Sequence, residues 1–323
     1  MSVFPAAVQP VPARLFYDGD RLSADWVDIA DTDPTLPFLH DRIAQAGPSW
    51  RAPLPTASGT NLPSAVVLHA GRCGSTLVSR SLSRMSRCHV VSEPQAVNAV
   101  LGVDGIWPFK SHKARCEALR QVIAALTRSA RPDQDRVILK LSSWNALHLP
   151  LIEEVLPDVP KLFVYRQPEE ILVSLRDAPA GWMRRAADPV QTKLFLGGAA
   201  PTGRHALAFA AQVLGRIFAM VADAASRPGA AGRWLLIPYS ELPGALNGKI
   251  PAWLGLHPSV VDLERIADAA AIHTKDANGK RPFEPDSARK RAAVTPELAE
   301  LAARFVNAAH DYLDRLRVAG EVQ

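Results

Sequence analysis

The chain has 323 residues, 48% of them hydrophobic and 21% charged, a globular composition that excludes wholesale disorder. Its net charge of +5 and pI near 9.3 suit an anionic ligand. The surplus is too small and too scattered to imply nucleic acid, and no aromatic-and-basic RNA motif accompanies it.

Residues 1–64 form an opening extension rich in Pro and Asp. No basic segment leads there into an apolar one, so neither a secretory signal nor a membrane partner is expected, and a cytoplasmic protein is the reading. A hairpin is predicted around Asp18-Gly19 and a short helix over residues 38–46, while residues 48–63 read as a linker or a loop lying over the main domain. From residue 65 to residue 323 the pattern alternates between strand and helix. Short apolar runs at residues 65–69, 89–92, 136–141, 161–165 and 233–238 are separated by helical patterns, which implies a parallel sheet covered on both faces. Residues 114–127 carry Cys116, Leu119, Val122, Ile123 and Leu126 on one stripe. The long apolar stretch 206–225 is broken by Gln212, Arg216 and Asp223 and reads as a packed helix. Near the end, Thr295 caps a helix with Pro296 in its first turn, and Leu298, Leu301, Phe305, Tyr312, Leu313 and Leu316 are expected to face inward. The three cysteines, Cys73, Cys88 and Cys116, are odd in number and lack metal-site spacing, so neither a disulfide framework nor a zinc site is implied.

In such sheets ligands bind beyond the carboxyl ends of the strands, and the informative residues lie there. After the first strand of the sheet comes His69-Ala70-Gly71-Arg72-Cys73-Gly74-Ser75-Thr76, followed by an apolar helix. Two glycines permit a tight turn whose N–H groups point inward, the helix start adds partial positive charge, and Ser75 and Thr76 add hydroxyls. Arg72 supplies a cation able to fork two phosphate oxygens. A Walker A loop needs Lys directly before its Ser or Thr, where Gly74 stands, and Cys73 lacks the arginine spacing of tyrosine phosphatases, so it reads as a small filler. After the fourth strand, Arg166 is followed by Pro168, which opens a helix, and by Ser174 two turns inside it; Arg166 and Ser174 can share an anion beside that helix.

Together these residues resemble the PAPS-dependent sulfotransferase family, PAPS being 3′-phosphoadenosine 5′-phosphosulfate. Arg72, Cys73, Gly74, Ser75 and Thr76 match its 5′-phosphosulfate loop, and Arg166, Pro168 and Ser174 match its 3′-phosphate signature. Ile237-Pro238-Tyr239-Ser240-Glu241-Leu242, with Trp253-Leu254-Gly255-Leu256 after it, is similar to the family's fifth-strand segment, so the likeness spans residues 65–257. The resemblance implies an α/β fold: three α/β/α layers around a five-stranded parallel sheet, the P-loop architecture of nucleotide kinases. It also implies PAPS as co-substrate and a small-molecule or carbohydrate acceptor, but leaves the first 60 residues unexplained; the N-terminal extension is read separately as a candidate cover for the acceptor site.

For the chemistry, Arg72 and Lys140 are the candidates to stabilise charge on the leaving group. Lys140 ends the third strand, where a P-loop kinase would carry a metal-binding Asp, so no metal is implied. The family's cytosolic small-molecule branch has a His base where this chain has Ser142, whereas Glu93 occupies the place of the glutamate base of carbohydrate-acting members. Desolvation beside an acceptor is expected to raise its pKa. His69 reads as packing beside the loop. Trp107, Phe109, Trp144 and Trp182 are candidates, with Ser142, to line an acceptor pocket, and Lys275, Lys280 and Arg281 in the basic segment 275–291 are candidates for the 3′-phosphate. Two rivals stand beside this reading: a P-loop small-molecule kinase, and a non-catalytic 3′-phosphoadenosine nucleotide-binding protein.

Overall fold

Five runs of almost unbroken apolar residues become the strands of one parallel sheet because helices cover both its faces. The computed structural model describes residues 9–17, 21–56, 62–102, 109–201, 205–272 and 284–321. In chain order the strands are β1 (Pro10–Tyr17), β2 (Leu22–Asp28), β3 (Trp50–Pro53), β4 (Ala65–His69), β5 (Cys88–Ser92), β6 (Arg136–Lys140), β7 (Lys161–Tyr165) and β8 (Trp234–Pro238). The helices are α1 (Leu39–Gln45), α2 (Ser75–Ser83), α3 (Gln95–Leu101), α4 (His112–Thr127), α5 (Leu149–Val155), α6 (Pro168–Asp177) and α7 (Pro189–Leu196), followed by α8 (Ala206–Ser226), α9 (Lys249–Trp253), α10 (Val260–Ala271), α11 (Ser287–Ala292), α12 (Pro296–Phe305) and α13 (Asn307–Glu321).

The sheet order is β5-β6-β4-β7-β8, all parallel. Successive side chains alternate between its faces. Val66 and Leu68 of β4, with Phe163 and Tyr165 of β7, enter one core with α4, α6 and α8; Ala65 and Val67, with Leu162 and Val164, enter a second core against α2 and α10. Three layers result. The chain leaves β4 toward β5 and leaves β7 toward β8, so the crevice opens beyond the carboxyl ends of β4 and β7.

The opening segment is more ordered than a linker reading allows. β1 and β2 pair antiparallel, with Val11 opposite Val27 and Tyr17 opposite Leu22; the turn residues Asp18 and Gly19 lie outside the described residues. The helix near residue 38 is α1. Within residues 48–63, read as loop, β3 instead adds a third strand, pairing Trp50 with Trp26 and Pro53 with Ser23. A mostly exposed edge strand four residues long shows too little alternation to be found in the sequence. Val11, Leu15, Ala24 and Trp26 share the core of α3 and α4, so this small sheet is packed onto the main one.

α8 is long and apolar enough to cross a membrane by length and composition, yet Ala211, Leu214, Ile217 and Phe218 are buried within the protein. The C-terminal helix expected as one element breaks at Val306 into α12 and α13. The carbonyl of Phe305 lies so close to Gly215 that a Cβ built there would sit 1.9 Å from it, and this close crossing ends α12. The helical phase restarts after the break, which leaves Leu313 buried but turns Tyr312 outward, against expectation.

Candidate functional site

A cavity of about 790 Å³ opens where the crevice rule puts it. One end is the β4–α2 loop. Gly71, Arg72 and Gly74 all have positive φ, 81°, 55° and 83°, a run that turns backbone N–H groups inward before α2 begins at Ser75. Gly74 has no room for a side chain: a Cβ would lie 2.9 Å from Leu242 and 3.0 Å from Tyr239. Arg72, Cys73, Gly74, Ser75 and Thr76 all line the cavity. The Arg72 guanidinium donates to the carbonyl of Ala178, and burial lowers its pKa. Among the described residues no carboxylate pairs with it. Cys73 is fully buried, its Sγ 3.1 Å from the carbonyl of Val164, and burial pushes its thiol up to about 11, so it is the filler expected.

At the other end β7 delivers Arg166 and α6 delivers Ser174. Arg166 is 4% exposed and already paired: Nε donates to Glu170 Oε2 at 2.6 Å, and Nη2 donates to Asp286 Oδ1 at 2.7 Å and to Ser287 Oγ at 3.0 Å. Burial would lower its pKa, but the bonds to Asp286 and Glu170 prevail and raise it. Its guanidinium also lies 4.0 Å from the centre of the Tyr239 ring. Ser174 donates to the carbonyl of Glu170 at 2.8 Å and accepts from Lys290, whose Nζ is 2.8 Å from Asp286 Oδ2. The carboxylate of Asp286 is thus clasped by Arg166 and Lys290. Burial would raise its pKa, but Lys290 and Arg166 hold it below its ordinary value.

Between the two ends sits Glu93. Its backbone N–H donates to the carbonyl of Lys140 at 2.7 Å, and its φ is 52°. Among the described residues only Arg72 and Glu93 combine a side chain with positive φ, and both line this cavity. Such backbone costs roughly 1–3 kcal/mol and gathers at functional sites. Lys140 is 0% exposed and its Nζ bonds Glu93 Oε1; Phe38, just before α1, places its ring 5.4 Å from that ammonium. Ser142 Oγ donates to Glu93 Oε2 at 3.5 Å, and His69 Nε2 lies 3.6 Å from Glu93 Oε1. The expectation of a raised Glu93 pKa is overturned. Burial does push the carboxyl up, but the charge of Lys140, the close approach of His69 and the Lys140 hydrogen bond outweigh it and hold the group well below the usual carboxylate range.

Glu93, Ser142, Trp144, Arg166 and Ser174 therefore line the same cavity as the loop. Trp144 and Trp182 form its apolar wall, packed on Phe195 with ring centres 6.0 and 5.9 Å away, whereas Phe109 packs against Tyr17 instead. Trp107, Lys275, Lys280 and Arg281 lie outside the described residues. Sequence reasoning passed over several wall residues. Lys290 and Arg289 belong to the basic segment it singled out, and Tyr239 to the β8 segment. His69, read as packing, lines the cavity and accepts from Gly71 N–H at Nδ1, which leaves the proton on Nε2. His69 Nε2 and Asn98 Oδ1 are buried with no hydrogen-bond partner among the described residues, and both residues face the cavity. Unsatisfied atoms of this kind await a ligand or water.

No family model and no curated protein sequence matches the chain. Among solved structures it is similar to sulfotransferase STF9 from Mycobacterium avium, at 14% identity over 77% of this chain and 78% of that one, with a TM-score of 0.46. A sulfotransferase domain from the curacin biosynthetic pathway aligns at 13% identity over 75% and 97% of the two chains, with a TM-score of 0.44. A sulfotransferase from Alicyclobacillus acidocaldarius aligns at 15% identity over 77% and 96%, with a TM-score of 0.43. Likeness at this level carries no argument about chemistry, which rests on this chain's own residues.

Proposed function

We propose that the chain is a sulfotransferase that moves a sulfuryl group from PAPS to a hydroxyl or amine of a small-molecule or carbohydrate acceptor. The observation that carries this reading is the one cavity joining the Arg72 loop, the Glu93 carboxylate and the pair Arg166 and Ser174. A donor with phosphate groups at both ends of a nucleoside needs two cationic pockets, separated and of different build. The N–H groups of the loop, the hydroxyls of Ser75 and Thr76 and the Arg72 guanidinium suit the 5′-phosphosulfate. The clasp of Arg166, Ser174 and Lys290 suits the 3′-phosphate, and Asp286 marks it as an anion site because a carboxylate already sits there.

In the reaction the acceptor oxygen or nitrogen bonds to sulfur as the bond from sulfur to the 5′-phosphate oxygen breaks. The bonding electrons leave with 3′,5′-adenosine bisphosphate, and the acceptor proton passes to Glu93. A carboxylate held ionised is always ready to receive, and the transfer becomes favourable as the acceptor atom acidifies on bonding to sulfur. Arg72 and the loop meet the charge growing on the phosphate. Lys140, buried and bonded to Glu93, acts by fixing the base. The same lysine weighs against the kinase rival, since the end of β6 offers no carboxylate for Mg²⁺.

Thermal unfolding with ligands separates the readings. Adenosine 3′,5′-bisphosphate at a hundredfold over its dissociation constant is expected to add roughly 2.7 kcal/mol, and MgATP to add nothing; stabilisation by MgATP alone would reject the proposal. Transfer of labelled sulfate from PAPS, lost in Glu93→Gln while bisphosphate binding survives, then distinguishes an enzyme from a binding protein.

A further inference from the structure

We propose that α4 and α5 carry a zinc site made by His112, Cys116 and Glu154, on the outside of the molecule and independent of the cavity. His112 and Cys116 are four residues apart on α4, so their side chains meet on one helix face. Glu154 reaches them from α5. His112 Nε2 lies 2.7 Å from Glu154 Oε2 and 3.4 Å from Cys116 Sγ, and Cys116 Sγ lies 3.3 Å from Glu154 Oε1. The three donor atoms all fall within 4.8 Å of one another.

These edges are close to those of a metal's coordination shell. With zinc bonds of about 2.0 Å to nitrogen and oxygen and 2.3 Å to sulfur, tetrahedral ligands stand about 3.3–3.6 Å apart. The imidazole–thiol edge already matches; the imidazole meets Oε2 of Glu154 and the thiol meets Oε1, so the carboxylate turns to offer one oxygen as its hydrogen bonds give way to the ion. Thiolate, imidazole and carboxylate together select zinc over magnesium or calcium. Cys116 is 1% exposed, while the side chains of His112 and Glu154 are 66% and 50% exposed, so an ion reaches the site from solvent and a fourth position stays open to water. The cluster is not a thiol catalyst. Cys116 and Glu154 both approach the same imidazole nitrogen, so the ring cannot relay a proton between them.

Zinc takes the thiolate of Cys116, Nε2 of a neutral His112 and the carboxylate of Glu154; the Nε2 proton moves to Nδ1, and the thiol proton goes to buffer. One proton is therefore released per ion.

Titrating the reduced, full-length protein with Co²⁺ tests the site. One equivalent is expected to give a thiolate-to-cobalt charge-transfer band, removed by one equivalent of Zn²⁺, with about one proton released. Cys116→Ser removes the band while Cys73 and Cys88 remain. Because Cys116 is buried, His112→Gln and Glu154→Gln, both at exposed positions, serve as folded variants; each is expected to weaken Zn²⁺ binding by at least about tenfold at an unchanged apo melting temperature. A missing band, or a band and affinity unchanged in His112→Gln and Glu154→Gln, overturns the proposal.

Discussion

At one end of the cavity Arg72 rides on a loop of positive-φ residues and faces no carboxylate among the described residues; at the other, Arg166 lies buried between Glu170 and Asp286. The first pocket is made mostly of backbone. Its cost is conformational strain, borne whether or not an anion is bound. The second is made of side chains whose charges are already balanced, so under the proposed function an incoming phosphate exchanges with Asp286. A backbone pocket is ready in advance, whereas an ion-paired pocket is selective because only an anion better placed than Asp286 displaces it. The two arginines should therefore respond to mutation in opposite ways.

The largest effect is expected at Arg166. Arg166→Ala leaves buried Glu170 with only the Ser287 hydroxyl and Arg291, whose guanidinium is 3.9 Å away, and breaking a buried pair costs about 3–5 kcal/mol. Denaturant unfolding should show that loss, and calorimetry should show no binding of adenosine 3′,5′-bisphosphate. Arg72→Gly comes next, with the reverse signature. Sulfate transfer should fall by about 10²–10³-fold, while unfolding free energy stays level or rises by up to about 1 kcal/mol as strain is relieved. If Arg72→Gly destabilises as much as Arg166→Ala, the contrast between strained backbone and balanced charge is wrong.

Asp286→Asn sharpens the comparison more gently. Removing the competing carboxylate should tighten bisphosphate binding several-fold by calorimetry; weaker binding would make Asp286 a support for Arg166 and not a stand-in for phosphate. The smallest effect is in acid. Glu93 and Asp286 have folded-state pKa values below their unfolded values, so each adds stability that is fully present above the ordinary carboxylate range. That stability begins to be lost as pH drops below the ordinary carboxylate values and is gone only below the lowered folded values. Thermal unfolding from pH 6 down to pH 3 should therefore show a decline that is shallower in Glu93→Gln.

Much of this contrast was visible in the residues before any coordinates. Gly71, Gly74 and the hydroxyls after them announce a tight strand-to-helix turn, and Arg166, Pro168 and Ser174 keep their spacing because a strand end and a helix start hold them at fixed distances. The partners of Arg166 were hidden. Asp286 and Ser287 lie 120 and 121 residues further along the chain, beyond any local pattern. The electrostatics of Glu93 were misjudged for the same reason. Burial alone argues for a raised pKa, and closeness to Lys140, 47 residues away, with that to His69, reverses its direction.

The sequence by itself determined the strands and most helices, the loop that opens α2 and the residue types facing the crevice, since all depend on neighbours within a few positions. The tertiary structure alone decided which face of each continuous apolar strand meets which core, and that β3 joins the opening hairpin. It also decided where the C-terminal helix breaks and how His112 and Cys116 meet Glu154. The physical reason is common to these cases. Burial, charge pairing and close backbone approach depend on distance in space, and in a chain that crosses its own sheet repeatedly, spacing along the sequence does not encode that distance.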